Sequence, residues 1–358
     1  MKISLNKQEY SRCAEILNAK EQNISAADIY IEYLNEHYND ISYAKDEKDF
    51  YKKFLNCLDI ASNDEEYKEI NKVCHLDKID KLDKKNYIDD EYYKIISRLN
   101  GKAGDCYFAN LKYLPFEGFV YNELEIDENT FAEHTPIGYF EEEFVYPALI
   151  QNDTIWMSII PHEIETMKEP IKNAKGHVLV LGLGLGYYLF HILNKKEVLS
   201  VDVIEFDKKV INLFNQYLIN KFPHQEKINI IHADGIEYLK NNKKKKYDYV
   251  FSDIWHNVGD GEMLYLRIKA LEKLYPTTQF DYWIERSILA MLRRQTLTVF
   301  SEILDGAKES DYLKAQNEND EIINKIYFYL KSTEISSFDA LHDILTESSL
   351  KEMAKHLF

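Results

Sequence analysis

Short apolar runs alternate with segments of helical spacing through the middle of the chain, between residues 171 and 290. The runs read HVLVLGL (177–183), VLSVDVIEF (198–206), INIIHA (228–233), YDYVFSDI (247–254) and FDYWIE (280–285). The segments between them place apolar residues three or four positions apart, as amphipathic helices do. This alternation predicts a parallel sheet covered on both faces, and right-handed crossovers make it a doubly wound, Rossmann-like α/β domain.

The two ends of the chain have a different pattern. Residues 1–100 contain no glycine or proline, and neither do residues 307–358. Segments such as EYYKIISRL and FDALHDIL in these ends have helical spacing. We therefore predict four parts, which are a helical N-terminal region (1–100), a mixed acidic lead-in (101–170), the Rossmann-like domain (171–300) and a helical C-terminal tail (301–358).

Composition and charge narrow the possible partners and location. The net charge of −17 repels phosphate backbones and argues against general nucleic-acid binding. No apolar run reaches the roughly 18–20 residues of a membrane span, and the N-terminus lacks the apolar stretch of a secretory signal. The four cysteines form no C-x-x-C pair. We therefore expect a cytoplasmic protein with reduced thiols, no bound metal and no membrane association.

A glycine-rich turn follows the first apolar run of the Rossmann-like domain. It reads Gly182-Leu183-Gly184-Leu185-Gly186 and precedes a helical segment. Glycines at such a turn let a ligand approach the backbone, next to the free N–H groups of the helix. A dinucleotide fingerprint, G-x-G-x-x-G, would need glycine where Tyr187 stands. The G-x-G-x-G spacing therefore fits a nucleoside without a pyrophosphate better.

Acidic residues stand at the ends of the next three predicted strands, where open parallel sheets bind ligands. Glu205 is placed to accept two hydrogen bonds from ribose hydroxyls, whereas Asp207 fits a helix N-cap better. Asp234, followed by Gly235, can accept a bond from an exocyclic amine or act as a helix N-cap. Asp253 ends the fourth strand.

The motifs VLVLGLGLG, VDVIEFD, HADGIEYL and YDYVFSDIW together resemble class I S-adenosylmethionine-dependent methyltransferases. They are most similar to the spermidine synthase-like branch, over residues 176–290. The resemblance implies S-adenosyl-L-methionine as the cofactor, with the glycines under its methionine part, Glu205 at the ribose and Asp234 at the adenine amine. The cofactor-binding positions it implies are Gly182, Leu183, Gly184, Gly186, Glu205, Phe206, Asp234, Gly235 and Asp253.

One departure from that branch bears on the reaction. Polyamine synthases of the branch carry a D-x-x-D pair at the fourth strand, and here His256 replaces the second acid after Asp253. We therefore expect methyl transfer to a small-molecule or protein acceptor. Aminopropyl transfer by a spermidine synthase-like enzyme and a non-catalytic nucleoside-binding module stay open as alternatives. After Glu285 the chain reads as helix, so the terminal hairpin of many class I methyltransferases is expected to be missing or displaced.

Two residues after the fourth strand carry the predicted catalysis. Methyl transfer needs alignment of nucleophile and methyl group, and a base where the nucleophile must lose a proton. Asp253 is expected to orient an amine or hydroxyl, and His256 to act as the base. His256 can also simply cap the following loop. Asp260, between two glycines, is expected to be a turn residue.

Three further residues are candidates for substrate contact. Trp255 and Trp283 can form an apolar or cation–π wall, or can be core residues. Glu163, with His162 beside it, lies in the segment 156–163 that precedes the glycine loop. A similar H-E segment lines the cofactor site in the spermidine synthase-like branch, which implies a site role here. The sequence leaves the oligomeric state and the acceptor open.

Overall fold

The N-terminal part of the chain is mostly helical. The structure, a computed structural model, describes residues 1–37, 44–61 and 63–358. The elements of this part are β1 (Lys2–Ile3), α1 (Lys7–His37), α2 (Glu47–Cys57), α3 (Glu65–Cys74), β2 (Ile79–Lys81), α4 (Lys85–Ile88) and α5 (Glu91–Ile96). Asp46, Asp64 and Asp90 cap α2, α3 and α5 by accepting hydrogen bonds from backbone N–H groups of the first turn.

A set of short strands follows the N-terminal helices. These strands are β3 (Lys102–Ala103), β4 (Cys106–Tyr113), β5 (Phe119–Val120), β6 (Glu125–Ile126), β7 (Glu133–His134), β8 (Ile137–Tyr139), β9 (Phe144–Gln151) and β10 (Thr154–Ser158). They form an antiparallel sheet in the order β10-β9-β4-β3, a three-stranded sheet β2-β8-β5 and the pair β6-β7. The lead-in is therefore largely β structure.

The middle of the chain forms the predicted doubly wound domain. Its elements are α6 (Pro161–Asn173), β11 (Gly176–Leu181), α7 (Tyr187–Leu193), β12 (Val198–Glu205), α8 (Lys208–Leu213), β13 (Ile228–His232), α9 (Gly235–Asn241), β14 (Tyr249–Ser252), α10 (Val258–Lys269) and β15 (Gln279–Tyr282). The five strands pair in parallel in the order β13-β12-β11-β14-β15. The strand order reverses between β11 and β14, which places a crevice at their carboxyl ends. The predicted α/β, Rossmann-like fold is confirmed.

The C-terminal part is helical, as its spacing predicts. It contains α11 (Glu285–Leu304), α12 (Glu318–Leu330), β16 (Glu334–Ile335), α13 (Phe338–Leu345) and α14 (Glu347–Ala354). The long helix α11 follows the last strand of the parallel sheet, at the place where the sequence predicts helix in place of a terminal hairpin. Strand β16 pairs in parallel with β1, so the two ends of the chain meet. Among residues 1–37, 44–61 and 63–358, no helix combines the length and apolar character needed to cross a membrane.

One large buried cluster runs from the N-terminal segment through the parallel sheet to the helical tail, and a smaller one joins α1, α2 and α3. Tyr92 of α5 shows the connection, because its hydroxyl donates a hydrogen bond to the carbonyl oxygen of Leu185 in the glycine turn. Glu285 binds Lys351, which ties α14 to α11. The division predicted at residues 100, 170 and 300 stays a prediction, and the large buried cluster extends across all three positions.

Candidate active site

The glycine loop between β11 and α7 is held in an unusual backbone conformation. Gly182, Gly184 and Gly186 all have positive φ, at 96°, 54° and 85°. A Cβ on Gly182 would lie 1.9 Å from the carbonyl oxygen of Asp253, so no side chain fits there. A Cβ on Gly184 would meet only the Sδ atom of Met157, at 3.8 Å. The middle glycine therefore faces open space, which a ligand can enter close to the backbone.

Glu205 supports the glycine loop from the end of β12. Its side chain is buried, and its Oε2 accepts a hydrogen bond from the backbone N–H of Leu183 at 2.9 Å. Its Oε1 accepts another from the N–H of Asp207 at 2.7 Å. Each carboxylate oxygen keeps a second lone pair, which leaves the predicted bond to ribose hydroxyls available. Asp207 caps α8, in agreement with the expectation that it is the helix cap.

The predicted adenine end of the site contains Asp234, Gly235 and Phe206. Asp234 caps α9 by accepting a hydrogen bond from the N–H of Glu237 at 2.8 Å, and it borders a cleft of about 490 Å³ between α9 and α10. Gly235 is buried against the side chain of Leu181. Phe206 is 74% exposed, which leaves its ring free to cover a ligand. The roles of these three residues in nucleoside binding stay predictions.

Two acidic side chains from distant parts of the chain come together beside the loop. Glu163 lies in the first turn of α6, and Asp253 follows β14 directly. Burial raises the pKa of the Glu163 carboxyl well above its usual range, and the charge of Asp253 raises it further. Burial and the charge of Glu205 also raise the pKa of Asp253. Within the described part of the chain, neither carboxyl has a hydrogen bond or a basic partner, so the acids form an uncompensated cluster.

The three aromatic neighbours of this cluster are largely buried. Trp283 donates a hydrogen bond from its indole Nε1 to the hydroxyl of Thr166 at 2.9 Å, and the ring of His162 packs against its edge at 6.0 Å. Burial lowers the pKa of His162 to about 4, so its imidazole is neutral near pH 7. Trp255 packs against Gly261 of α10. Both tryptophans thus occupy core positions, and their contact with substrate stays a prediction.

His256 lies on the outer side of the site and has two partners. Its Nδ1 lies 3.0 Å from Oδ2 of Asp260, and its ring packs edge-to-face on Trp156 with the centroids 4.5 Å apart. Trp156 and its neighbour Met157 belong to β10, which therefore extends from His256 to the glycine loop. Both residues belong to the segment 156–163, in which the sequence predicts a site role for Glu163. The contact with His256 depends on how the antiparallel sheet packs on the Rossmann-like domain.

Comparison with known families agrees with this geometry. The spermine/spermidine synthase domain matches residues 160–276. This segment is therefore similar to the spermine/spermidine synthase domain. It contains Glu163, the glycine loop, Glu205, Asp234 and Asp253, and its fold is that of the class I methyltransferases, which confirms the resemblance stated above. The helices before residue 100 and after residue 285 lie outside it.

The chain is also similar to several curated proteins and solved structures. A polyamine aminopropyltransferase of Clostridium botulinum is 26% identical over 164 residues, which cover 44% of this chain and 56% of the relative. Spermidine synthase 2 of Arabidopsis thaliana is 34% identical over 97 residues, 26% of this chain and 28% of the relative. The crystal structure of spermidine synthase from Thermotoga maritima superposes with a TM-score of 0.29 and 15% identity, over 42% of this chain and 59% of that one. The chain spans about half the length of the first curated relatives it matches.

Proposed function

We propose that this chain transfers an aminopropyl group from decarboxylated S-adenosylmethionine to an amine. The observation that carries the proposal is that Glu163 and Asp253, two buried acids without a basic partner in the described part of the chain, lie within electrostatic range of each other, with Asp253 against the glycine loop. A cationic amine placed between them gains two charge-assisted contacts and relieves the repulsion between the carboxylates. The match to the synthase domain and the relatives named polyamine aminopropyltransferase support the same reaction.

The acidic pair alters which of two reactions, methyl transfer or aminopropyl transfer, is favoured. The sequence favours methyl transfer, because His256 stands where the fourth-strand motif has its second acid. In the folded chain Glu163, from α6, supplies a second carboxyl next to Asp253. A pair of acids that can bind an amine is therefore available without an acid at position 256, and we favour aminopropyl transfer over methyl transfer.

The residues around the loop fit the donor nucleoside. The space over Gly184 admits a ligand at the backbone, and each carboxylate oxygen of Glu205, which supports the loop, keeps a second lone pair. Asp234 offers a carboxylate at the end of β13 for an amine. When bound, the donor supplies a sulfonium whose neighbouring carbon is open to a nucleophile. The chain's own contribution is to hold the acceptor nitrogen in line with that carbon, which accounts for much of the rate in such transfers.

Methyl transfer is the second candidate, and His256 is the observation that favours it. An imidazole held by Asp260 at the outer side of the site suits a neutral acceptor that needs only one base. The two reactions leave different products, since aminopropyl transfer releases methylthioadenosine and methyl transfer releases S-adenosylhomocysteine. Ligand binding without either product would instead indicate a nucleoside-binding module.

The experiment offers the purified protein each donor in turn with a panel of amines that includes putrescine and spermidine, and identifies the nucleoside product by mass spectrometry. We expect methylthioadenosine from the decarboxylated donor. Asp253→Asn and Glu163→Gln should each lower kcat/KM by about 30-fold or more, because truncating one partner of a buried charge contact costs about 2–5 kcal/mol. Glu169→Gln, on the exposed face of α6, is the matched control. S-adenosylhomocysteine as the sole product would contradict the proposal.

A further inference from the structure

Asp260 makes more contacts than a turn residue needs. Its Oδ1 accepts hydrogen bonds from the backbone N–H groups of His256 and Asn257, at 3.2 and 2.9 Å. Asn257 returns the interaction, because its side chain accepts from the N–H groups of Gly259 and Asp260. This reciprocal arrangement is a capping box at the start of α10. The second oxygen of Asp260, Oδ2, faces Nδ1 of the His256 ring at 3.0 Å.

The His256 ring is held on a second side by β10. Trp156 packs edge-to-face on the ring, and the next residue, Met157, lies over Gly184 of the glycine loop. Among the described residues, Asp260 is the charged group in contact with the ring, and β10 presents the uncharged Trp156. His256 still has about half of its side chain exposed. The ring is therefore held from two sides, next to the strand that lies over the glycine loop.

The contact with Asp260 decides which ring nitrogen carries the proton. A carboxylate can only accept a hydrogen bond, so it selects the tautomer in which Nδ1 carries the proton. The lone pair of the neutral ring then lies on Nε2, as in a catalytic triad, where an aspartate holds the histidine in the tautomer that acts as a base. Hydrogen bonds from His256 and Asn257 hold the pKa of Asp260 below its usual value, although burial opposes this, so the carboxylate is ionised at neutral pH.

The geometry points to Asp260 as a positioning residue that presents Nε2 of His256 as the proton acceptor for the acceptor amine. This inference rests on the proposed function. The ammonium held by Glu163 and Asp253 gives one N–H proton to Nε2 of His256. The freed nitrogen lone pair bonds to the carbon beside the sulfonium, the C–S bond electrons go to sulfur, and methylthioadenosine leaves. The imidazolium, paired with Asp260, then returns its proton to water.

Asp260→Asn tests the assignment with little change in shape. The amide oxygen can still accept from the backbone N–H groups, while its NH₂ faces Nδ1 and favours the tautomer with the proton on Nε2. We expect kcat for aminopropyl transfer to fall by about 10²–10⁴-fold, the usual contribution of a positioned base, with the acceptor KM changed much less. The ¹⁵N chemical shifts of the His256 ring at high pH should show the proton moving from Nδ1 to Nε2.

Asn257→Ala is the matched control, because it removes the other half of the capping box without touching the ring. It should lower thermal stability while kcat and the nitrogen shifts stay near those of the native protein. Equal losses of kcat in the two variants, or unchanged nitrogen shifts in Asp260→Asn, would overturn the inference. Absence of methylthioadenosine from the native protein would overturn the proposed function alone, because the nitrogen shifts of the native ring still decide whether Asp260 sets the tautomer.

Discussion

Glu262 provides a test of how α10 and α11 are packed, because a single buried carboxyl lies between them. The side chain is 3% exposed, and its Oε2 accepts a hydrogen bond from Nε2 of Gln295 at 3.0 Å. Its Oε1 has no partner among the described residues. The same Gln295 amide also donates to Asn319 of the helical tail, so the carboxyl belongs to the contact that joins the tail to the domain.

The perturbation is Glu262→Gln, which keeps the shape and removes the charge. Burial raises the pKa of Glu262 from 4.5 to about 7. At about 1.4 kcal/mol per pH unit, this difference corresponds to about 3 kcal/mol of unfolding free energy. Because the folded state binds the proton more tightly than the unfolded state, the native protein loses this stability as the pH rises from about 4.5 to about 7. The Glu262→Gln variant does not lose stability in this way, because its amide does not titrate.

The assay is urea unfolding of both proteins without ligand, at about pH 5 and about pH 8. The difference between variant and native protein cancels the other titrating groups. We expect that difference to shift in favour of the variant by about 2–3 kcal/mol between the two pH values. Glu169→Gln, at an exposed position of α6, controls for loss of a surface carboxylate. If the difference in unfolding free energy between variant and native protein stayed constant within about 0.5 kcal/mol between the two pH values, burial would not raise the pKa of Glu262 as argued.

Three further predictions concern the site. Gly182→Ala should lower the free energy of unfolding in urea by about 3 kcal/mol or more, because its Cβ would lie 1.9 Å from the carbonyl oxygen of Asp253. Gly184→Ala should lower it by only about 1 kcal/mol, and yet should weaken donor binding measured by calorimetry. Unchanged donor affinity in Gly184→Ala would remove the loop from the site. Glu205→Ala should weaken donor binding by roughly 1.5–3 kcal/mol. It should also lower the stability of the free protein, because the N–H groups of Leu183 and Asp207 lose their acceptor. A change in binding free energy below about 0.5 kcal/mol would count against the ribose role. Finally, the KM for a cationic acceptor should rise as the pH falls below neutral, because the raised pKa of Asp253 lets the acid become protonated there, and a flat profile between about pH 5 and about pH 8 would contradict this.

Local patterns in the sequence are enough to predict the strands of the Rossmann-like domain. Strands buried on both faces need continuous apolar residues, so the runs starting near residues 177, 198, 228, 247 and 280 coincide with β11 to β15. The positive φ of the three loop glycines and the cap at Asp234 are also local properties. They depend on a residue and its immediate neighbours, and those are visible in the sequence.

The antiparallel lead-in was harder to predict than the domain. Several of its strands, such as Phe119–Val120 and Glu133–His134, are only two residues long. A pattern of period two cannot be read from so few positions. Their pairing is instead set by partners elsewhere in the chain, as in the parallel contact of β2 with β8.

The sequence by itself thus determined the doubly wound sheet, the glycine loop and the acids at the strand ends. Only the tertiary structure brought Glu163 beside Asp253, placed Trp156 on the ring of His256 and turned Oδ2 of Asp260 toward Nδ1 of that ring. The physical reason is that the chemistry depends on distances between side chains from α6, β10 and the end of β14. Those distances follow from how the elements pack, and the periodicity of each element carries no information about its packing partners.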